Sequence, residues 1–283
     1  IKWRQNMVRS FLFVPSNNPG MIQNAHLFDA DGIIFDLEDA CLIDEKESAL
    51  ILLNQYLKTH RALKPMVCVR MNQMQSHYFD DEFSALASQI DAIILPKASV
   101  SDVEDLSKRI DEANLSVKII PIIESAISLL EVEAIAKFEK VTALLLGAED
   151  LCAAMDISRS KQGTEILYAR SKIALCAAAY DILSIDTPFI DITDEAGLIE
   201  DVVAAKALGM HAKACIHPNQ IASVNRILSP SQEEINQALR IVEAAKHHKD
   251  KAAFNLDSKM VDAPIIKKAQ KTLDAARKIG LLK

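Results

Sequence analysis

The chain has 283 residues, of which 50% are hydrophobic, and this length is enough for one large core. Its formal net charge of −7 argues against a nucleic-acid-binding protein, because phosphate binding relies on clustered Lys and Arg. With no apolar stretch of about 18 residues, no secretion signal and five widely spaced cysteines, we expect a reduced, cytoplasmic protein that does not span a membrane.

Eight short runs rich in Ile, Val and Leu predict β-strands. A longer stretch of helical character separates each run from the next, which is typical of repeated βα units with a parallel sheet. Eight such units close most economically into a (β/α)₈ TIM barrel. The expected strands are residues 10–15, 32–38, 65–72, 92–97, 117–124, 143–150, 184–189 and 211–218.

Helical patterns fill the gaps between these runs and continue after the last one. We predict helices at 44–60, 77–89, 101–114, 125–137, 165–180, 195–208 and 219–228, and another at 231–247 that Ser231 caps. A polar stretch, 248–259, and an amphipathic helix, 264–281, follow. Because the barrel is complete by then, we predict a catalytic barrel domain over 1–247 and a carboxyl-terminal helical lid or oligomerisation segment over 248–283.

Six predicted strands end in a residue that can do chemistry: Asp36, Arg70, Lys97, Glu124, Asp150 and His217. In a barrel of this kind the carboxyl ends of the strands meet at one mouth, so these side chains are expected to surround one pocket. That arrangement is typical of an enzyme.

Glu124 and Asp150 are the strongest pair among these residues. They follow neighbouring strands, and two carboxylates in one apolar-walled pocket would repel each other until one took up a proton. A hard cation removes this conflict, since Mg²⁺ takes one or two protein carboxylates and leaves positions for substrate oxygens. We therefore predict Mg²⁺ at Glu124 and Asp150; the alternative is that each carboxylate pairs with a basic residue at the rim.

Arg70 offers a planar, bidentate fork for a substrate carboxylate. The alternative is an ion pair with Asp36, Glu38 or Asp39, which follow the preceding strand. With a metal ion nearby, some of these acids would accept hydrogen bonds from its waters; without one, they form an acidic loop opposite Arg70.

Two further strand-end residues are weaker candidates. A strongly desolvated Lys97 would favour a metal-free Schiff-base aldolase, but a lysine among this many acids is more often their counter-charge. His217 precedes a proline and is more often a hydrogen-bonded wall residue than a base. The seven glycines form no G-x-G-x-x-G or Walker pattern, so a nucleotide-binding loop is not supported.

Short motifs run in order through nearly the whole chain. They are RSFLFVP at 9–15, FDLEDA at 35–40, VRMN at 69–72, LPK at 95–97, PIIES at 121–125, GAED at 147–150, IHP at 216–218 and KMVDAP at 259–264. Together they resemble the citrate lyase β-subunit family, whose relatives are the citramalyl-CoA and malyl-CoA lyases.

This resemblance implies a Mg²⁺-dependent carbon–carbon lyase that cleaves a β-hydroxyacyl thioester, citramalyl-CoA or a citryl thioester. The products would be a 2-oxo acid, pyruvate or oxaloacetate, and an acetyl thioester. An alternative within the resemblance is a subunit that acts on citryl-acyl-carrier protein, or only holds the acyl carrier, within a larger complex. The resemblance also implies a homo-oligomer, a trimer or hexamer.

The resemblance assigns residues as well. Glu124 and Asp150 match the metal ligands, and Arg70 matches a substrate-binding arginine. Asp262 matches an aspartate that a lid lends to a neighbouring subunit, where it would protonate an enolate as the catalytic acid, although an Asp before Ala263 and Pro264 is also a good helix cap. With Arg70 and Asp36, it makes up the candidate catalytic set. The candidate substrate-binding residues are Arg9, for the phosphates of the carrier, Arg70, Glu124, Ala148 and Glu149.

Overall fold

The computed structural model describes residues 7–60, 63–248 and 252–282. Contacts divide the chain into two compact units, one over Val8–Asn225 and one that holds Met7 and the described residues from Arg226 onward. Residues 249–251 of the predicted polar stretch lie outside the described residues. None of the helices within the described ranges is both long and apolar enough to cross a membrane.

The first unit contains a closed barrel of eight parallel strands in chain order. Each strand pairs with its neighbours in sequence, and the pairing of Ser10 with Lys213 closes the barrel between the first strand and the last. The predicted TIM barrel is therefore confirmed. Its strands are β1 Ser10–Pro15, β2 Gly32–Asp36, β3 Met66–Arg70, β4 Ala92–Leu95, β5 Lys118–Ile123, β6 Ala143–Leu146, β7 Leu183–Asp186 and β8 Ala212–Cys215.

Helices connect the strands, as the alternation of patterns predicts. They are α1 Pro19–Asn24, α2 Lys46–Thr59, α3 Phe79–Leu86, α4 Val100–Glu112, α5 Ala126–Leu130, α6 Val132–Ala136, α7 Ala148–Ala154, α8 Leu167–Ala179, α9 Glu195–Ala207 and α10 Asn219–Leu228. The strands are buried over almost their whole length, because Ile, Val and Leu face either the barrel interior or the surrounding helices.

Most strands end earlier than predicted, and this changes where several candidate residues lie. Only Asp36 and Arg70 are the last residues of their strands. Strand β4 ends before Pro96, which has no N–H to continue the ladder. Strand β6 ends at Leu146, so Asp150 lies in the first turn of helix α7 and not on a strand. The apolar runs thus continue beyond the sheet into the βα loops.

The second unit pairs two helices with a β-hairpin. Helix α11, Gln232–His247, begins at a capping box formed by Ser231 and Glu234, as expected, and α12 spans Ala263–Lys278. Between them, β9 Ala253–Leu256 and β10 Lys259–Asp262 form an antiparallel pair. Strand β9 lies within the predicted polar stretch 248–259, and β10 begins at its last residue. A shared core joins the four elements, built from Ile235, Ala238, Ile241, Phe254, Val261, Ala269, Leu273 and Ala276.

The division between the units lies earlier than the predicted boundary at 247. Helix α11 packs its apolar face with α12 and the hairpin, so it belongs with the tail and not with the barrel. The sequence pattern shows that this helix is amphipathic but does not show what it packs against. The lid function of the tail stays a prediction.

Candidate active site

A cavity of about 410 Å³ opens at the carboxyl ends of the barrel strands. It brings together six of the residues singled out in the sequence: Asp36, Arg70, Glu124, Ala148, Glu149 and Asp150. Apolar side chains from several strands and loops, among them Phe13, Ile122 and Leu145, form much of its wall. Of the six strand-end residues predicted to surround one pocket, Asp36, Arg70, Glu124 and Asp150 line this cavity, whereas Lys97 and His217 do not.

Glu124 follows β5 directly and is only 5% exposed. Its Oε1 accepts a hydrogen bond of 2.5 Å from the backbone N–H of Lys97, which adopts a left-handed conformation with φ of 47°. The hydrogen bonds among the described residues leave Oε2 of Glu124 without a donor. One oxygen is thus anchored by the backbone, and the other is available to a ligand.

Burial and, to a smaller extent, the nearby carboxylate of Asp150 raise the pKa of Glu124 to about 7, against the opposing effects of the Lys97 N–H and of Arg70. Low solvent access disfavours the charged form of a carboxyl group unless positive charge compensates. A bound cation would supply that compensation and return Glu124 to its ionised form.

Gly147 allows the loop after β6 to pass against Glu124. A Cβ atom at this position would lie 2.5 Å from Cβ of Glu124 and 2.7 Å from its Oε2, distances that no side chain tolerates. Glycine therefore lets helix α7 begin beside Glu124, and Asp150 in the first turn of that helix reaches the same cavity. The pairing of Ile123 with Leu146 brings the two loops together.

The donor set at this mouth suits Mg²⁺. Five acidic side chains and, among the described residues, one basic side chain line the cavity: Asp36, Asp39, Glu124, Glu149 and Asp150 against Arg70. No cluster of three or more metal-binding side chains is present in the described ranges, which leaves the remaining positions around a cation to water and substrate oxygens. The excess negative charge and the open Oε2 of Glu124 both fit a hard divalent cation.

Arg70 is held in a cage of carboxylates. Its Nε and Nη2 bind Asp36 at 2.8 and 2.5 Å, and its Nη1 lies 3.0 Å from Glu38 and 3.1 Å from Asp39. The ring of Phe13 lies 5.3 Å from the guanidinium carbon. The ion pair considered as an alternative is therefore formed, and these carboxylates raise the pKa of Arg70 above its usual value.

Asp36 has its hydrogen-bonding capacity filled. Besides the two bonds from Arg70, it accepts the backbone N–H groups of Glu38 at 3.0 Å and Ala40 at 3.2 Å. These four donors fill the acceptor positions of the Asp36 carboxylate, which leaves none for a proton of the substrate. This geometry favours a role in orienting Arg70 over the direct catalytic role expected for Asp36.

Lys46, which the sequence pattern does not single out, stabilises the backbone of the acidic loop. This buried ammonium donates to the carbonyls of Leu37 and Glu38, both at 2.9 Å, and to Oδ1 of Asn72 at 2.7 Å. All three of its hydrogens are thereby used. Lys46 fixes the backbone that presents Asp36 and Glu38 to Arg70.

Residues 9–218 match the model of the HpcH/HpaI aldolase/citrate lyase family. The chain belongs to this family. It is 34% identical over 281 residues to citrate lyase subunit beta of Haemophilus influenzae, with 95% of this chain and 97% of that protein covered. It is 31% identical over 294 residues to the human mitochondrial citramalyl-CoA lyase, with 96% and 86% covered.

Solved structures of the family share the fold. The protein CitE from Mycobacterium tuberculosis, in complex with magnesium, acetoacetate and coenzyme A, superposes with a TM-score of 0.81 at 29% identity. The match covers 98% of this chain and 99% of that one. The predicted family and the assignment to carbon–carbon lyases are confirmed.

Arg9 does not lie where the predicted contact with the carrier requires. It precedes β1, at the amino-terminal end of the barrel strands, whereas the cavity lies at their carboxyl ends. Its Nε and Nη2 bind Asp31 at 2.8 and 2.9 Å, and its backbone N–H binds the same carboxylate at 2.7 Å. The structure therefore contradicts a contact between Arg9 and a ligand in this cavity.

Lys97 contributes its backbone and not its amine. Its side chain is exposed and lies outside the cavity lining, so it lacks the desolvation that a Schiff-base lysine needs. His217 accepts a hydrogen bond of 3.2 Å from the N–H of Asn219 on its Nδ1, which ties it into the turn before α10. The metal-free aldolase is not favoured in this family member.

Asp262 caps helix α12 in the second unit. Its side chain accepts the N–H of Ile265 at 3.2 Å, as the capping alternative expects. One carboxylate oxygen is enough for this cap, so capping leaves a further role open to the other oxygen.

We predict that magnesium affinity rises with pH around the pKa of Glu124. Below about pH 7 the metal-free carboxyl is protonated, and a proton must leave when the cation binds; above it, binding needs no proton release. Calorimetry with Mg²⁺ should therefore show affinity increasing up to about tenfold per pH unit between pH 5.5 and 7 and levelling off above pH 7.5. Glu124→Gln is the control, because Gln does not titrate: its weaker binding should not follow this curve. A flat profile for the wild type would contradict the assignment.

Proposed function

We propose that this protein is a Mg²⁺-dependent lyase that cleaves a citramalyl-type thioester into pyruvate and an acetyl thioester. The observation that carries the proposal is the pair Glu124 and Asp150, from loops after neighbouring strands, in one cavity with Arg70. The magnesium in the structure of the Mycobacterium relative and the names of the lyase relatives support it.

Glu124 and Asp150 would hold the cation, with Oε2 of Glu124 as the available oxygen. When bound, Mg²⁺ supplies a Lewis acid that lowers the pKa of the substrate hydroxyl and polarises the carbonyl formed from it. Arg70 would bind the substrate carboxylate in an orientation set by Asp36. The fixed guanidinium needs little reorganisation when the substrate arrives.

The bond that breaks joins the hydroxyl-bearing carbon to the carbon next to the thioester. The hydroxyl gives up its proton to solvent water, the new carbonyl belongs to the 2-oxo acid, and the electron pair of the broken bond forms the thioester enolate. That enolate takes a proton to become the acetyl thioester. Asp262 is our candidate for this proton donor, and the apolar cavity wall limits the access of water to the enolate.

The cavity lining favours a methyl group over a second carboxylate on the reacting carbon. A citryl thioester carries a carboxymethyl arm where a citramalyl thioester has a methyl. Arg70 is the basic side chain in the described lining, and Asp36, Glu38 and Asp39 already surround it. A second buried carboxylate would lack a cation, whereas a methyl group fits the apolar wall.

The similarity to citrate lyase subunit beta supports a second candidate, cleavage of a citryl thioester as part of a complex. We place it second because of the charge balance in the cavity.

We also propose free CoA as the carrier and a homo-oligomeric assembly. The buried free thiols of all five cysteines support a further proposal, that the protein works in a reducing compartment such as the cytoplasm.

Product analysis tests this proposal. Incubated with Mg²⁺ and either CoA thioester, the protein should release pyruvate from citramalyl-CoA with a kcat/KM at least about tenfold above that for oxaloacetate release from citryl-CoA, since an unpaired buried charge is strongly discriminated against. EDTA should abolish both activities and Mg²⁺ should restore them. Preference for citryl-CoA would favour the second candidate, and no turnover of either thioester with Mg²⁺ would contradict the proposal.

Asp262→Asn tests the proton donor without disturbing the helix cap, because Asn caps as well as Asp. We expect kcat for citramalyl-CoA to fall by about 100-fold or more, with little change in KM and an unchanged Tm. A kcat within about twofold of wild type would leave Asp262 with its capping role alone.

The same variant decides whether the lid acts on its own subunit. Asp262→Asn and Glu124→Gln are expected to be nearly inactive alone. If Asp262 serves a neighbouring subunit, co-expression of the two should restore part of the activity in mixed oligomers. If it serves its own subunit, mixing should restore none.

A further inference from the structure

Thr187 links the end of strand β7 to the start of helix α7. It is fully buried and lines the cavity, and its Oγ1 accepts the backbone N–H of Ala148 at 3.2 Å. Ala148 is the first residue of α7, and Asp150 lies in the same turn. N–H groups in the first turn of a helix have no partner within the helix, so Thr187 supplies one from outside.

A buried cluster of four charged side chains contacts the backbone of Thr187. Arg170 binds Asp186 at 2.8 and 2.9 Å and Asp201 at 2.6 Å, while Lys213 binds both aspartates at 2.7 Å. Their side chains are between 1% and 6% exposed. The two positive and two negative charges balance, so this charge cluster offers no net charge to a ligand.

The charge cluster holds Thr187 by its backbone. The third hydrogen of the Lys213 ammonium is donated to the carbonyl of Thr187 at 2.7 Å, so all three are used. Asp186, the residue before Thr187, is part of the cluster and ends β7. Strand β8, through Lys213, and helices α8 and α9, through Arg170 and Asp201, thus all fix the position of Thr187.

We propose that Thr187 is a positioning residue for the metal ligand Asp150, with the charge cluster as its rigid support. Its hydroxyl fixes the first turn of α7, so Asp150 faces the cavity before a cation arrives. Without the hydroxyl, the N–H of Ala148 loses its partner in a buried site, and the turn must be ordered when the cation binds. This inference rests on the proposed magnesium site.

Binding of Mn²⁺, followed by electron paramagnetic resonance, tests the inference without relying on activity. Thr187→Val removes the hydroxyl and keeps the shape, and Thr187→Ser keeps the hydroxyl. We expect the Kd for Mn²⁺ to rise about tenfold in Thr187→Val and to stay within about twofold of wild type in Thr187→Ser. The Mg²⁺ concentration needed for half-maximal lyase activity should shift in parallel.

Ser184→Ala, a change in strand β7 three residues before Thr187, is the matched control. Ser184 is also fully buried, but its hydroxyl donates to the carbonyl of Gly209 at 3.1 Å and lies 3.0 Å from Nδ1 of His211, so its partners are outside α7. This variant should lower Tm and leave the Kd for Mn²⁺ unchanged. That result separates a general loss of stability from a loss of positioning.

Three outcomes would overturn the inference. Unchanged Mn²⁺ affinity in Thr187→Val would show that the hydroxyl does not position Asp150. Equal weakening in Thr187→Ser and Thr187→Val would show that the methyl group and not the hydroxyl matters. Absence of Mn²⁺ binding in the wild type would remove the proposed metal site itself, whereas in the first two cases that site would stand and the positioning role alone would fail.

Discussion

The excess of negative charge at the barrel mouth, with Glu124 buried within it, is the constraint on which the rest of the site depends. Glu124 is anchored by the Lys97 N–H, pressed against Gly147 and close to Asp150. A rise of its pKa from 4.5 to about 7 corresponds to about 3 kcal/mol against the ionised form. Glu124 and Asp150 would hold a divalent cation in the proposed site, and its positive charge would favour the ionised form of Glu124 that burial disfavours.

The neighbouring residues are arranged so that the charged groups move little. Asp36 holds Arg70 in a bidentate pair, Lys46 fixes the carbonyls of the loop that carries Asp36, and Thr187 accepts the first N–H of α7. Each contact joins a polar side chain to backbone or to a second fixed side chain. Catalytic groups held in this way lose little free energy to reorganisation when ligands bind.

The sequence predicts the barrel well because each strand must be buried on both faces, and that leaves a continuous apolar run. It predicts the residues at the mouth for the same reason: the runs end in Asp36, Arg70 and Glu124. The strand ends are predicted less well, since an apolar run does not show where ladder pairing stops. Asp150 is therefore found on a helix, although its place at the mouth was predicted.

Other features depend on contacts that no local pattern encodes. Lys46 and Thr187 act through bonds to loops distant in sequence, and neither lies in a distinctive motif. The motif at 9–15 suggests a substrate-binding role for Arg9. Because Arg9 precedes β1, however, it lies at the end of the barrel opposite the cavity. The sequence pattern does not predict the hairpin of β9 and β10, because each strand has a single buried residue, Phe254 in β9 and Val261 in β10. Such short strands show no clear apolar run.

The charge balance also bears on the order in which ligands bind. An anionic thioester that enters the metal-free cavity meets five carboxylates and one arginine already paired with Asp36. A divalent cation would reduce the negative charge of this lining from −4 to −2, so cation and substrate would strengthen each other's binding by the same factor. Arg70 contributes to this coupling between cation and substrate. Its acidic neighbours offset its single positive charge, so Arg70 alone would attract an anionic substrate only weakly. In the proposed mechanism the acidic loop has two effects: it orients Arg70 and, by offsetting the charge of Arg70, it would make substrate binding depend on the metal.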